Sequence, residues 1–294
     1  ILGIQANLWS EMIPNFKRLQ YMAFPRMLAL AETAWTSKEN KSSENFQKRM
    51  DIQYQRLDAL GIRYHIPTVT GLKDKVAFLD KVTIELNAPL KNMEIYYTID
   101  GSLPTKTSKK YTAPLEFSQT TTLTTIAYRG EVASETKSAL IEKQTYLDPV
   151  NITPIKGALN RWTTVKQYKV VDSVSLPKNA VFESVKEINL AGKEGIEQLS
   201  MVFKGYFYAE EEGLFDFSTK SDDGSLLYIG DKFVVDNGGN HSAIEKNGMV
   251  ALKKGWHPIT IYYHEATGGG SLEVFYKTPN GKKKTLNGNT IAHD

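Results

Sequence analysis

The stretch Gly3-Ile4-Gln5-Ala6-Asn7-Leu8-Trp9-Ser10-Glu11 decides how the beginning of the chain is read. Leu2, Ile4, Ala6 and Leu8 alternate with Gly3, Gln5, Asn7 and Trp9, the period of a short strand, and Met12, Ile13 and Pro14 turn the chain out of it. Trp9 and Glu11 then stand at the strand's C-terminal edge. In a barrel of alternating parallel strands and helices, that edge is where substrate-binding loops gather. Working outward, Phe24, Met27, Leu28, Ala31 and Trp35 recur at helical spacing, with Pro25 in a first turn that needs no N–H. A second helix is predicted from Ser43 to Leu60, with Phe46, Met50, Tyr54, Leu57 and Leu60 on one face and Gly61 as its C′ cap.

From His65-Ile66-Pro67 to Gly71 the helical period stops, which places a domain boundary near residue 68. Val76 to Leu86, Glu94 to Ile99, Thr120 to Tyr128 and Ala139 to Gln144 read as strands of a small all-β unit, with Asp100-Gly101 as a tight turn. Tyr96 and Tyr97 are adjacent on a strand and face opposite sides, so at least one belongs to the core. A second linker runs from Tyr146 to Asn151. Beyond it, Phe203 to Tyr208, Gly213 to Ser218, Leu226 to Ile229, Lys232 to Asp236, Trp256 to Tyr263 and Ser271 to Tyr276 alternate strongly between Gly and Asp-Gly turns, the pattern of a β-sandwich. The expected domains are therefore 1–67, 68–145 and 146–294.

A length of 294 residues and 41% apolar content suit a multidomain globular chain. The net charge of +3 is small and the lysines are dispersed, so no nucleic-acid surface is indicated; Lys282 to Lys284 read as a solvated turn. With no cysteine, disulfides and thiolate metal sites are excluded. No apolar run is long enough for a membrane span. The five histidines never fall in zinc-ligand spacing, and no Gly-x-Ser-x-Gly elbow occurs. The chain starts at Ile1 in mid-strand without Met, and is read as the C-terminal part of a longer protein.

The run GIQANLWSE, with YMAFPRMLALAETAW and RLDALGIRYHIP behind it, resembles the last strand and closing helices of the (β/α)8 catalytic barrel of glycoside hydrolase family 20, the β-N-acetylhexosaminidases. The resemblance implies that Trp9 walls the pocket for a terminal N-acetylhexosamine and that Glu11 accepts hydrogen bonds from its O4 and O6 hydroxyls. An indole face and an ionised carboxylate suit those tasks. It implies hydrolysis by substrate-assisted retention, an exception to the two-carboxylate scheme, with an Asp-Glu pair on an earlier strand. That pair is not in this chain, so no catalytic residue is assigned and the chain by itself is expected to be inactive. The run Tyr96 to Thr105, with Ser108, Tyr111 and Pro114, resembles the immunoglobulin-like domain that follows many chitobiase and hexosaminidase barrels. The stretches around Gly213 to Ser242 and Leu252 to Gly281 resemble the protective-antigen-type β-sandwich found on glycosidases, adhesins and toxins.

In sugar-binding adhesins of that last type, two consecutive aspartates and a downstream asparagine hold a calcium ion. Asp222 and Asp223 match the pair and Glu265 takes the asparagine's place, a weak metal set for which the alternative is a strand-to-strand turn with aspartates capping local N–H groups. The expected cofactor is none, with weak calcium binding kept open, and the domain is not expected to be a calcium-dependent lectin. The family implies a glycan partner and a periplasmic or extracellular bacterial setting. A second reading makes the last domain a non-catalytic carbohydrate-binding module.

Overall fold

Asn15 opens the helical part: its side chain accepts from the Arg18 N–H at 2.9 Å, capping helix α1, Phe16–Ala23. This helix was not anticipated, since FKRLQYMA mixes cations into its apolar face. Pro25 then stands just before α2, Arg26–Trp35, where its fixed φ is tolerated. Ser42 caps α3, Ser43–Ala59, by accepting from the Asn45 N–H, and Gly61 follows at φ +63° as the left-handed C′ residue expected from the sequence.

The computed structural model describes residues 3–166 and 168–294; Ile1, Leu2 and Gln167 lie outside. Of the strand expected over residues 2–8, Leu2 lies outside the described residues and residues 3–8 form no strand. Residues 3–9 are exposed and unpaired, and a single 3-10 turn follows at Ser10–Met12. Alternation assigns faces, but a strand also needs neighbouring N–H and C=O groups, and no described strand offers them here. The first part of the chain is thus helical, without a parallel strand among the described residues.

Two compact units are formed: Ile1–Val76 with Asp80–Glu142, and Lys143–Asp294 with Ala77–Leu79. The first adds to its helices the strands β1 (Lys75–Phe78), β2 (Val82–Ile84), β3 (Glu94–Thr98), β4 (Lys109–Lys110), β5 (Leu115–Phe117), β6 (Thr121–Arg129), β7 (Val132–Ala133) and β8 (Lys137–Lys143). A sheet ordered β1-β8-β6-β3-β4 carries β7 on β6, and β2 pairs with β5 separately. At the Asp100-Gly101 turn, Asp100 accepts from the Ser102 N–H at 3.0 Å. Tyr96 is buried and donates to Glu94, while Tyr97 is half-buried.

The helices pack on this β unit. Met50, Tyr54, Leu57, Tyr64 and Ile66 form one buried cluster, against which Leu90, Met93 and Val132 pack. Arg129, only 9% exposed, donates through Nε to Asp58 at 3.0 Å and through Nη1 to the Lys91 carbonyl at 2.9 Å, with its guanidinium over the Tyr54 ring. Asp58 also accepts from the Tyr64 hydroxyl at 2.8 Å.

The second unit contains β9 (Ile155–Lys156), β10 (Leu159–Val165), β11 (Glu183–Val185), β12 (Leu199–Ala209), β13 (Gly213–Asp222), β14 (Gly224–Ile229), β15 (Lys232–Asn237), β16 (Ile244–Leu252), β17 (Gly255–His264), β18 (Ser271–Lys277), β19 (Lys283–Thr285) and β20 (Ile291–His293). One sheet runs β11-β10-β12-β17-β14-β15, with β20 on β12 and β9 on β20; the other runs β16-β13-β18-β19. Phe203, Phe207, Ile259, Ile261 and Leu227 of the first face Phe215, Phe217, Val250, Val274 and Tyr276 of the second in one core, as period-2 alternation requires. The lysines read as a solvated turn lead instead into the edge strand β19, where Lys283 pairs with Glu245 at 2.6 Å and lies over the Phe275 ring. Charge on an edge strand discourages further pairing.

Replacing Arg129 by Met removes the cation while leaving Asp58 partly buried and short of a partner. Urea unfolding of the chain is expected to show the first unit destabilised by about 2 kcal/mol, below the range for a fully buried pair because Asp58 keeps some solvent.

Candidate functional site

Trp9 caps the 3-10 turn that places Glu11 in its first residues. The indole is 72% exposed and Glu11 is exposed as well, with Met12 and Phe16 also uncovered nearby in sequence. The two side chains expected to bind sugar are therefore both exposed to solvent.

The acidic set lies elsewhere, in the second unit. Ser221-Asp222-Asp223-Gly224 joins β13 of one sheet to β14 of the other, so the strand-to-strand connection expected there is also the corner at which the chain changes sheet. Gly224 is required there, because a Cβ would come within 2.6 Å of the Gly239 carbonyl oxygen. The Asp222-Asp223 peptide is cis. Asp223, 6% exposed, accepts from the His241 N–H at 2.7 Å through Oδ1 and from the Ala266 N–H at 2.9 Å through Oδ2. Asp222 accepts from the Ala243 N–H at 3.1 Å. The aspartates do cap backbone N–H groups, but those of two loops distant in sequence and not the local ones expected.

Glu265 joins them: the three carboxylates offer oxygens that all lie within 4.8 Å of one another. Its Oε1 is buried without a hydrogen-bond partner, and its Oε2 is 3.4 Å from the Tyr263 hydroxyl, which donates at 2.7 Å to the Asp222 carbonyl. Burial pushes the Glu265 carboxyl above the usual glutamate range, and the Asp223 and Asp222 charges push it further the same way. An all-oxygen donor set with an unsatisfied buried carboxylate oxygen has the chemistry of a hard cation site, and Asp222, Asp223 and Glu265 would hold such an ion.

The histidines serve the structure. His264 shares hydrogen bonds with the Ser200 hydroxyl and the Tyr168 carbonyl, His257 with the Lys253 carbonyl, and burial lowers the pKa of both. Gly268 to Gly270 form a loop, as expected.

Set against known proteins, residues 1–38 match the glycosyl hydrolase family 20 catalytic domain, 76–138 the chitobiase/beta-hexosaminidase C-terminal domain, and 191–288 the PA14 domain, the protective-antigen type. A beta-hexosaminidase of Porphyromonas gingivalis is 34% identical over 285 residues, covering 92% of this chain and 36% of that protein. A beta-hexosaminidase of Vibrio vulnificus is 30% identical over 142 residues, covering 37% of this chain and 16% of its own length. Among solved structures, a PA14 sugar-binding domain from an RTX adhesin aligns with a TM-score of 0.31 at 20% identity, covering 33% of this chain and 55% of the other. Over most of its length the chain is thus similar to a β-hexosaminidase, and it spans about a third of the length of that Porphyromonas relative.

Because folding raises the Glu265 pKa, its contribution to stability is full below the unfolded-state value and is lost as pH rises through the folded one. In chelator, Glu265→Gln is expected to raise the second unit's melting point at neutral pH by about 2–4 °C, the shift for roughly 1 kcal/mol in a domain of this size. The gain should vanish below about pH 4, where glutamate is protonated in both states.

Calcium is expected to bind weakly at the wild-type corner, raising the same melting point at millimolar concentration and no longer doing so after Glu265→Gln. Calorimetry with monosaccharides should give no sugar binding that calcium switches on.

Proposed function

We propose that the chain is part of a β-N-acetylhexosaminidase that removes terminal N-acetylhexosamine from glycans, with Trp9 forming a wall of the sugar pocket and Glu11 accepting the O4 and O6 hydroxyls. The observation that carries this reading is the coincidence of the family 20 catalytic-domain match over residues 1–38 with two side chains left exposed inside it. An uncovered indole loses little solvation when a sugar's C–H face replaces water, and an ionised carboxylate forms charge-assisted bonds to hydroxyl donors. In substrate-assisted retention the 2-acetamido oxygen attacks C1, and an Asp-Glu pair orients the acetamide and protonates the leaving oxygen. For that pair this chain offers no candidate, so its own part is binding and support. Relatives named beta-hexosaminidase support the glycosidase class. Action on polymeric glycans suits a periplasmic or extracellular setting.

In the enzyme that contains this chain, Glu11→Gln and Trp9→Ala are each expected to lower kcat/KM on an aryl N-acetylglucosaminide by about 10²-fold, equivalent to ~2.7 kcal/mol of lost transition-state stabilisation, with unchanged melting points. The 294-residue chain alone should release no nitrophenol above buffer. Turnover by it would overturn the division of labour proposed here.

A further inference from the structure

The second unit carries an aromatic cleft that neither the acidic corner nor the pocket residues use. On the face of the larger sheet turned away from the core, Tyr228 of β14 and Tyr262 of β17 meet edge to face at 5.9 Å between ring centres, and Phe233 of β15 stacks on Tyr228 at 4.9 Å. The segment from Val171 to Val174 crosses this face, and between it and the sheet lies a cleft of about 450 Å³ bounded by Asp172, Leu226, Tyr228, Asp231, Thr260 and Tyr262. That volume falls within the range of small-ligand sites. Tyr228 stands five residues along the strand from Asp223, about 16 Å at strand rise, so its ring is remote from the acidic corner, while Val171 at the cleft's margin packs against Gly224.

Its charge is of one sign. Asp172 and Asp231 line it, and Asp236 lies close enough, with Asp172, to hold the Tyr228 hydroxyl above its ordinary pKa after burial and Tyr262 have done most of the work. Among the described residues none of these three aspartates makes an ion pair, and all three are exposed. Lys232, next to Asp231, donates to Gln144. A neutral sugar needs only the rings. Uncompensated carboxylates beside aromatic faces are complementary to a ligand that brings a positive charge on an apolar frame.

A second cleft of about 380 Å³ adjoins across Thr260, bounded by Asn160, Phe182, Lys204, Tyr206 and Asp294. From β14 through β17 and β12 to β10 the face spans about 14 Å, long enough for a chain of sugars and more than one ring needs.

We propose that this face binds an oligosaccharide of unacetylated amino sugars, one ammonium group seated between Asp172 and Asp231 over the Tyr228 and Tyr262 rings, and the following sugar lying across Thr260. This site would hold a de-N-acetylated stretch of an amino-sugar polymer near the enzyme. It concerns the second unit only and stands whether or not the hydrolase reading does.

The test is calorimetry of the whole chain at mildly acid pH, where the glucosamine amine is charged, with a glucosamine oligomer, the N-acetylated oligomer of the same length, and spermidine as a cation without a sugar frame. The glucosamine oligomer is expected to bind at least tenfold more tightly than either of the others. Tyr228→Ala should weaken it about tenfold. The double variant Asp172→Asn with Asp231→Asn changes only exposed side chains and should weaken it at least as much, without altering the melting point. Equal affinity for the acetylated oligomer, tighter binding of spermidine, no binding of the glucosamine oligomer, or indifference to the double aspartate variant would each overturn the proposal. Loss of hydrolysis in the parent enzyme plays no part in this readout, so failure here and failure of the proposed activity are separable.

Discussion

Phe207 is the contact on which the second unit depends. It projects from β12 into the space between the sheets and meets Phe215, Phe217 and Tyr276 of the opposite sheet edge to face, at 5.6, 5.0 and 5.2 Å between ring centres. All four rings are nearly or fully buried. Burying each stabilises by about 1.5–3 kcal/mol, and each aromatic pair adds roughly 0.5–1.5 kcal/mol. Once Phe207 points inward, strand geometry sends Tyr206 and Tyr208 outward, and the antiparallel register carries the same choice to Ile259 and Ile261 against Thr260 and Tyr262 on β17. The tyrosines on the outer face follow from the phenylalanines of the core.

The acidic corner is where this sandwich holds unlike requirements together. A chain leaving β13 for β14 must change sheet, which interrupts ladder bonding and strands backbone N–H groups in the adjoining loops. Asp222 and Asp223 satisfy three of them, those of Ala243, His241 and Ala266. Such bonds to a charged acceptor are the stronger kind. Glu265 is less well placed: it accepts from the Asp223 backbone and the Tyr263 hydroxyl, but its Oε1 is unpartnered and burial and the two aspartate charges outweigh those bonds. The corner is stable on its aspartates and strained by its glutamate, the opposite of what three like residues in one cluster would suggest.

Much of the second unit is legible from alternation, because β13, β17 and β18 largely alternate buried with less buried positions, while β12 and β14 read as apolar runs between Gly and Asp turns. β10 and β16 escaped notice. β10 reads LNRWTTV, in which Arg161 is buried against Glu183 and Trp162 lies under the crossing segment, so polarity and burial disagree. β16 begins with four exposed residues, and its buried face starts only at Gly248. At the N-terminus the error ran the other way. Residues 3–9 alternate well, but alternation describes which side a residue would face and says nothing about whether a neighbouring strand is there to pair. The resemblance likewise implies a strand-to-strand turn at Asp222-Asp223 without showing that the chain changes sheet there. Glu265 was found from position in a resemblance; its unsatisfied oxygen could not have been.

Exposure separates what the two units can offer. Trp9 and Glu11 sit on a short turn that buries nothing, so their geometry is set by whatever surrounds them and their chemistry is intrinsic to an indole and a carboxylate. Tyr228 and Tyr262 differ in kind. Each is held by a strand whose opposite face is locked in the core, and Tyr228 is further confined between Phe233 and Tyr262. A ring already ordered by folding loses little entropy when a ligand settles on it, whereas a side chain free in solvent must be fixed at the time of binding. The fold therefore leaves a preorganised surface on the β-sandwich and an adaptable one near the start of the chain, and the two differ in the ordering entropy that a ligand would have to overcome.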